Sequence, residues 1–231
     1  DISADDVTFT QITNGGVYTS GGYCKVQVAN VTYTNNTGNA FLVGSGRNIL
    51  TVDNANIYNN KISGNGLLWL GDNSTLIING GSFHDNTVSN NGTIAYANSV
   101  GCTITINGGE FYNNKAANGG VVYMPGNDTL TINGGNFYNN TATGSGGAIV
   151  QGNGNVNVNM TINGGDFHDN NAVNGGAIYM GTNTGLATLT MIGGEIHNNT
   201  ANNGGAVYIP NKGKVNLSAA EGADVGGIIR D

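Results

Sequence analysis

The chain has 231 residues, 40 of them Gly, a formal net charge of −7 and only seven Lys plus Arg. So few basic residues exclude a phosphate-binding face and with it a nucleic-acid partner, and no apolar run approaches the roughly eighteen residues of a membrane-spanning helix. Gly and Asn together make up about a third of the residues, yet the apolar residues recur in register and Gly has no three-residue period, which excludes collagen-like and disordered chains.

Taken in chain order, a large apolar or aromatic residue returns at Phe9, Tyr33, Ile57, Phe83, Phe111, Phe137, Phe167 and Ile196, with spacings of 24, 24, 26, 28, 26, 30 and 29. Each anchor is followed by Asn-Asn, Asp-Asn or a close variant, and then by a segment like Gly-Gly-Ala-Ile-Tyr. A period of this length with no helical pattern inside it predicts a solenoid built one coil at a time. The repeats fill residues 1–231, so a single domain is expected, with a partial last coil over 215–231.

The best-formed coil runs from Thr129 to Val150. Thr129-Leu130-Thr131-Ile132 alternates strictly and predicts a strand with Leu130 and Ile132 inward. Gly134-Gly135 turns the chain, Phe137 re-enters the core, Asn139-Asn140 turns it again, and an apolar strand follows Gly146-Gly147. Three short strands per coil, stacked in parallel, predict an all-β parallel β-helix of about eight to nine coils. Like residues then form columns about 4.8 Å apart along a rod roughly 40 Å long. Asn36, Asn60, Asn86, Asn114, Asn140, Asn170 and Asn199 share one such column, and stacked amides of this kind bond from coil to coil as a ladder. Cys24 and Cys102 each stand nine residues before an anchor but three coils apart. That predicts about 14 Å between them, too far for a disulfide, whose Cα atoms lie within about 7 Å. The nine Asn-x-Ser/Thr sequons are what a chain this rich in Asn and Thr generates freely.

The paired motifs, Phe-x-x-Asn at Phe83–Asn86, Phe111–Asn114, Phe137–Asn140 and Phe167–Asn170, and Gly-Gly-Ala-Ile-like segments at Gly119–Val122, Gly146–Ile149, Gly175–Ile178 and Gly204–Val207, resemble the repeats of the chlamydial polymorphic membrane proteins and related surface proteins of bacteria and archaea. The resemblance covers most of the chain and implies a right-handed parallel β-helix displayed outside the cell, often as an adhesin. The chain departs from that family in showing no membrane-anchoring barrel or other attachment segment. No basic-then-apolar leader precedes Asp1, so a mature, processed form is expected, and the resemblance implies an extracellular or cell-surface location for it.

Several columns are candidates for function. The outward column beside the anchors reads Tyr58, His84, Tyr112, Tyr138, His168, His197 and is a candidate ligand face for a glycan or cell-surface receptor; stacking of flat side chains on one another is its ordinary structural role. A second aromatic set, Tyr18, Trp69, Tyr123, Tyr179 and Tyr208, lies in a strand whose facing is undetermined because both faces are apolar. Asp166, His168, Glu195 and His197 form a two-by-two patch, a weak metal candidate without the oxygen cage of a calcium loop or the closed Cys/His set of structural zinc. No metal or other cofactor is expected. The pairs Thr103/Thr105, Thr129/Thr131 and Thr188/Thr190 resemble the flat face of β-solenoid ice-binding proteins, although Ile77 and Asn159 interrupt the ranks. Asp85 and Asp169 fall three coils apart, and Lys115 is the only Lys or Arg between Phe83 and Met191. Neither paired glycosidase carboxylates nor a lyase base is therefore formed, and the chain is expected not to be an enzyme.

The ends of the rod carry no visible cap. Ile2, Asp5, Asp6, Val7 and Phe9 mark an acidic head, and Lys212, Lys214, Ile228, Ile229 and Arg230 a comparatively basic tail, diluted by Glu221, Asp224 and Asp231. If these 231 residues are the complete mature protein, head-to-tail pairing of the open edges is expected to yield a filament with the chain itself as partner. The leading expectation is therefore a non-enzymatic, self-assembling structural protein of the cell surface, with adhesion and ice binding as alternatives.

Overall fold

Alternating segments such as Thr129–Ile132 have one face to bury, and in the computed structural model, which describes residues 2–13, 15–19, 22–98, 100–154, 156–219 and 227–230, that segment is a strand with Leu130 and Ile132 fully buried. Its neighbours are Thr103–Ile106 on one side and Val158–Ile162 on the other, both parallel and paired so that Leu130 lies between Ile104 and Met160. Repetition of this register gives a first sheet of nine strands, from Ile2–Asp5 to Gly213–Leu217. A second sheet, also of nine strands, runs from Thr8–Thr10 to Ile228–Ile229 and carries the anchors inward. Phe83, Phe111, Phe137 and Phe167 stack with ring centroids 4.8, 4.7 and 4.4 Å apart. The protein is an all-β parallel solenoid; among the described residues there is no helix.

The stretch after each Asn-Asn, expected to be a turn, contains a further strand. Six of these, from Lys61–Ile62 to Thr200–Asn203, form a third sheet and turn Ile62, Val88, Ala116, Ala142 and Ala172 inward. Two residues are too few for an alternating pattern to be read. They become a strand because the coils stack, as when Thr141 N–H donates to Asn114 O. The Gly-Gly-Ala-Ile-Tyr segments build a fourth sheet of eight strands, Val17–Thr19 to Val207–Tyr208.

The Asn-Asn pairs divide the work of the turn. Asn113 and Asn139 adopt φ of 55° and 54°, the left-handed region that Asn tolerates better than most side chains. The second Asn of each pair is the buried rung. Asn114 Nδ2 donates to Phe83 O at 2.8 Å and to Asn140 Oδ1 at 3.1 Å, while its own Oδ1 accepts from Asn86 N at 3.2 Å. The ladder runs unbroken from Asn36 to Asn199. It satisfies backbone groups that would otherwise be buried without partners at each corner.

At both ends the core columns run out. Ile2 and Ala4 lie beside Val26 and Val28, and Val215 and Leu217 beside Leu189 and Met191, all facing inward; among the described residues they are the last rungs of the first sheet. Ile2 is 41% exposed, Val7 36%, Val215 44% and Leu217 53%. Phe9 and Ile229 pack partly buried against the core. Asp5, Asp6, Lys212 and Lys214 are exposed, and Arg230 pairs with Glu195. Asp1, Glu221, Asp224 and Asp231 lie outside the described residues. Ile228 joins the second sheet opposite Glu195.

Candidate functional site

The second-sheet ladder is formed as expected: Tyr58, His84, Tyr112, Tyr138, His168 and His197 stand in register on the outward side. Their rings stack face to face at 5.1, 4.7, 4.9, 5.2 and 5.2 Å, with interplanar angles of 11° or less. Each inner ring therefore spends both faces on its neighbours and presents an edge to solvent. His84 and His168 also hold carboxylates through Nδ1, with Asp85 and Asp169 at 2.7 Å.

Asp166 and Glu195 are neighbours across the same strands. They are engaged separately: His197 Nε2 lies 3.1 Å from Asp166 Oδ1, and Glu195 meets Arg230. Among the described residues no group of three His, Cys, Asp or Glu side chains converges as a metal site would require.

On the first sheet the Thr pairs stand in register, Thr103 beside Thr129 and Thr105 beside Thr131. Asn159 follows Thr129, and Ile77 precedes Thr105. An exposed amide ladder borders them: Asn163, Asn133 and Asn107 each donate Nδ2 to the Oδ1 of the preceding rung at 2.7 Å, and Asn79 donates to Asp53 at 2.6 Å.

The fourth sheet resolves the facing that its sequence left open. Val122, Ile149 and Ile178 point inward and pair rung to rung, so the residue after each points outward. The column on the outward side of the pleat reads Tyr18, Leu42, Trp69, Tyr96, Tyr123, Val150, Tyr179, Tyr208, and within it Tyr123 and Val150 are buried, at 8% and 2% exposure. It contains half of the ten Tyr and the single Trp of the chain and no charge. Tyr96 completes the set; its position 27 residues after Trp69 and 27 before Tyr123 was the available signal, hidden because Thr93 replaces the second glycine of the motif. Tyr96 and Tyr123 stack at 5.8 Å and 15°, whereas Tyr179 and Tyr208 are tilted by 46° at 6.0 Å. Burial raises the phenol pKa values of Tyr96 and Tyr179 above the ordinary value, with the neighbouring tyrosines adding to it, so both hydroxyls stay neutral near pH 7.

Beside this column runs a second, polar one. Asn118 Nδ2 donates to Asn91 Oδ1 at 3.0 Å, Ser145 N to Asn118 Oδ1 at 3.0 Å, and Asn203 Nδ2 to Asn174 Oδ1 at 2.8 Å. The two columns meet at an open recess of about 100 Å³ lined by Asn118, Tyr123, Ser145, Val150, Gly152 and Tyr179. A larger trough of about 320 Å³, lined by Asp85, Thr87, Asn113, Lys115 and Asn139, lies on the polar corner and offers no ring.

Cys24 is half-buried and Cys102 buried, and both are free thiols. They share a corner column: Cys24 N donates to Asn48 Oδ1, and Cys102 N to Asp128 Oδ1, each at 2.8 Å. Burial, with Asp128 nearby, pushes the Cys102 thiol up to about 11, so it is not poised as a nucleophile.

No protein-family model, curated protein or solved structure matches this chain.

Proposed function

We propose that the chain is a non-enzymatic surface rod that works by adhesion along its length, through side chains that the coil repeat multiplies into columns. The observation that carries this reading is the uncharged aromatic column of the fourth sheet, which runs from Tyr18 to Tyr208 beside a column of amides. Rings flanked by amides suit ligands that have an apolar face and polar edges, and carbohydrate is the principal class of this kind. The motif resemblance supports an extracellular location. The second-sheet ladder is a less suitable platform because its rings cover one another. The test is depletion of the purified protein from solution by beads bearing neutral or acidic glycans, with an assay for newly released reducing ends. Retention without turnover supports the reading. Release of reducing ends from any glycan would make the chain an enzyme and overturn it.

End-to-end association with a second copy is the second reading, favoured by the inward residues exposed at both ends. Continuing the registers would bring Val215 and Leu217 against Ile2 and Ala4, and Ile229 against Phe9. A recess of about 190 Å³ lined by Ile2, Ser3, Lys25 and Gln27 lies beside the head edge. Among the described residues the first and second sheets have nine strands, the fourth eight and the third six, so such a junction closes on two sheets and leaves the other two short of rungs. Electron microscopy of the purified chain decides it. Fibres that dissolve when Leu217→Lys places a charge in the junction support association, and discrete rods at every concentration exclude it. Ice binding through the Thr ranks stands behind both, since Ile77 and Asn159 break the array.

A further inference from the structure

We propose that the fourth sheet carries a binding site for a neutral pyranose, centred on Tyr179 and walled by Asn118 and Ser145. The inference rests on the adhesive reading and specifies its ligand class and place. Three observations carry it.

The first is the pose of Tyr179. A Cβ added at Gly181 would lie 2.5 Å from the tyrosine ring and 2.7 Å from its hydroxyl. The Cε1–Cζ–Oη edge of the ring therefore takes the space that a side chain at Gly181 would fill, so the half-buried ring leans along its own strand. Neither column neighbour stacks on it in parallel, because Val150 is aliphatic and the Tyr208 ring is tilted by 46° at 6.0 Å. A half-buried ring that no neighbour covers face to face can receive the C–H face of a sugar, in contrast to the sandwiched rings of the second sheet.

The second is the wall. Asn118 and Ser145 line the recess shared with Tyr179, where the Asn118 amide donates to Asn91 and accepts from the Ser145 backbone N–H, which fixes the amide and the Ser145 backbone. A pyranose lying on the ring turns its hydroxyl rim toward an amide and an alcohol, which both donate and accept. Fixed polar groups of this kind confer orientation at little further ordering cost.

The third is charge. Neither column contains a charged side chain, in a chain whose net charge is −7. Uronic acids and sulfated sugars would be repelled by the acidic chain and would meet no local cation, so the complementary ligand is neutral.

The test is titration calorimetry of the 231-residue chain with cellohexaose, xylohexaose and mannohexaose, with a hexagalacturonate as the acidic control. We expect at least one neutral hexasaccharide to bind and the acidic one not to bind. Tyr179→Ala should weaken binding about tenfold or more, the scale of one lost stacking contact. Gly181→Ala should weaken it as well, by lifting the ring while leaving both site polar groups in place. Tyr112→Ala, on the second-sheet ladder, should leave affinity unchanged. Circular dichroism and thermal melting confirm that each variant folds; Gly181 does not have a positive φ, so this substitution provides the test should Tyr179→Ala be unstable. Binding that survives both Tyr179→Ala and Gly181→Ala would overturn the site while preserving the adhesive reading. Absence of binding to every neutral probe, or preference for the acidic one, would overturn the site and leave the bead assay to judge adhesion by itself.

Discussion

At the scale of single residues, the chain uses one amino acid, Asn, in several physically different ways. Asn113 supplies a left-handed turn, Asn114 a buried rung, and Asn107 an exposed rung. Removing them should therefore have unequal consequences. Asn114→Ala would leave Asn86 N–H without its partner in the core and remove the amide bond to Phe83 O, and should cost about 2–4 kcal/mol. Asn107→Ala would remove bonds between exposed amides that water can replace, and should cost no more than about 0.5 kcal/mol. Urea denaturation of the two variants measures the difference, and equal losses would contradict the division of roles. Asp128 permits a pH test. Burial is the largest influence on its carboxyl and raises its pKa, against the N–H donors of Cys102 and Gly126 that lower it. A folded-state pKa above the unfolded one means that the folded chain holds the proton more tightly. Its contribution to stability is thus full below the unfolded value and falls as pH rises through the folded one. Asn48 fills the equivalent corner without a titrating group, so Asp128→Asn should flatten this part of the stability profile, as melting temperatures across the acid range would show.

At the scale of the coil, glycine pairs allow the fourth sheet to form. Gly146 takes φ of 64°, and a Cβ on Gly147 would lie 2.0 Å from Gly176 O in the next coil. No rotamer relieves a collision between Cβ and a backbone oxygen, so Gly147→Ala must separate two rungs and should cost at least about 2 kcal/mol. Gly80→Ala is the matched control, since nothing lies within 4 Å of its added Cβ; it should be neutral or slightly stabilising. Chemical denaturation of both variants checks the pair. Much of the coil was legible in the sequence. Thr129–Ile132, the anchors and the Asn ladder all follow from period-two alternation combined with the 24–30 residue repeat. The third sheet was not, because strands as short as Thr141–Ala142 contain no pattern of their own.

At the scale of the whole rod, each coil contacts chiefly its two neighbours, so stability should be graded along the axis. Amides of the central coils, such as Thr129 to Ile132, are hydrogen-bonded between two complete rungs, whereas those of Ile2–Asp5 and Gly213–Leu217 border an open edge. Hydrogen exchange should be slowest at the centre and fastest at both ends, and uniform protection would show instead that the ends are covered, as in an end-to-end assembly. The periodicity alone was enough to establish the approximate coil number and the register of the anchors and the Asn ladder, because parallel stacking converts sequence spacing directly into spatial neighbourhood. The spacing itself places His168 beside His197 and keeps Cys24 away from Cys102. What stacking cannot encode is the direction of a strand that is apolar on both faces, or the pose of a ring. Tyr112 and Tyr179 are both outward tyrosines one position after an inward apolar residue. One is sandwiched at 4.7 and 4.9 Å between neighbouring rings, and the other turns an edge into the space at Gly181 with no ring stacked parallel on it. That distinction arises from side chains brought together from adjacent coils and from the space left by a glycine two residues away, and these meet only when the chain is folded.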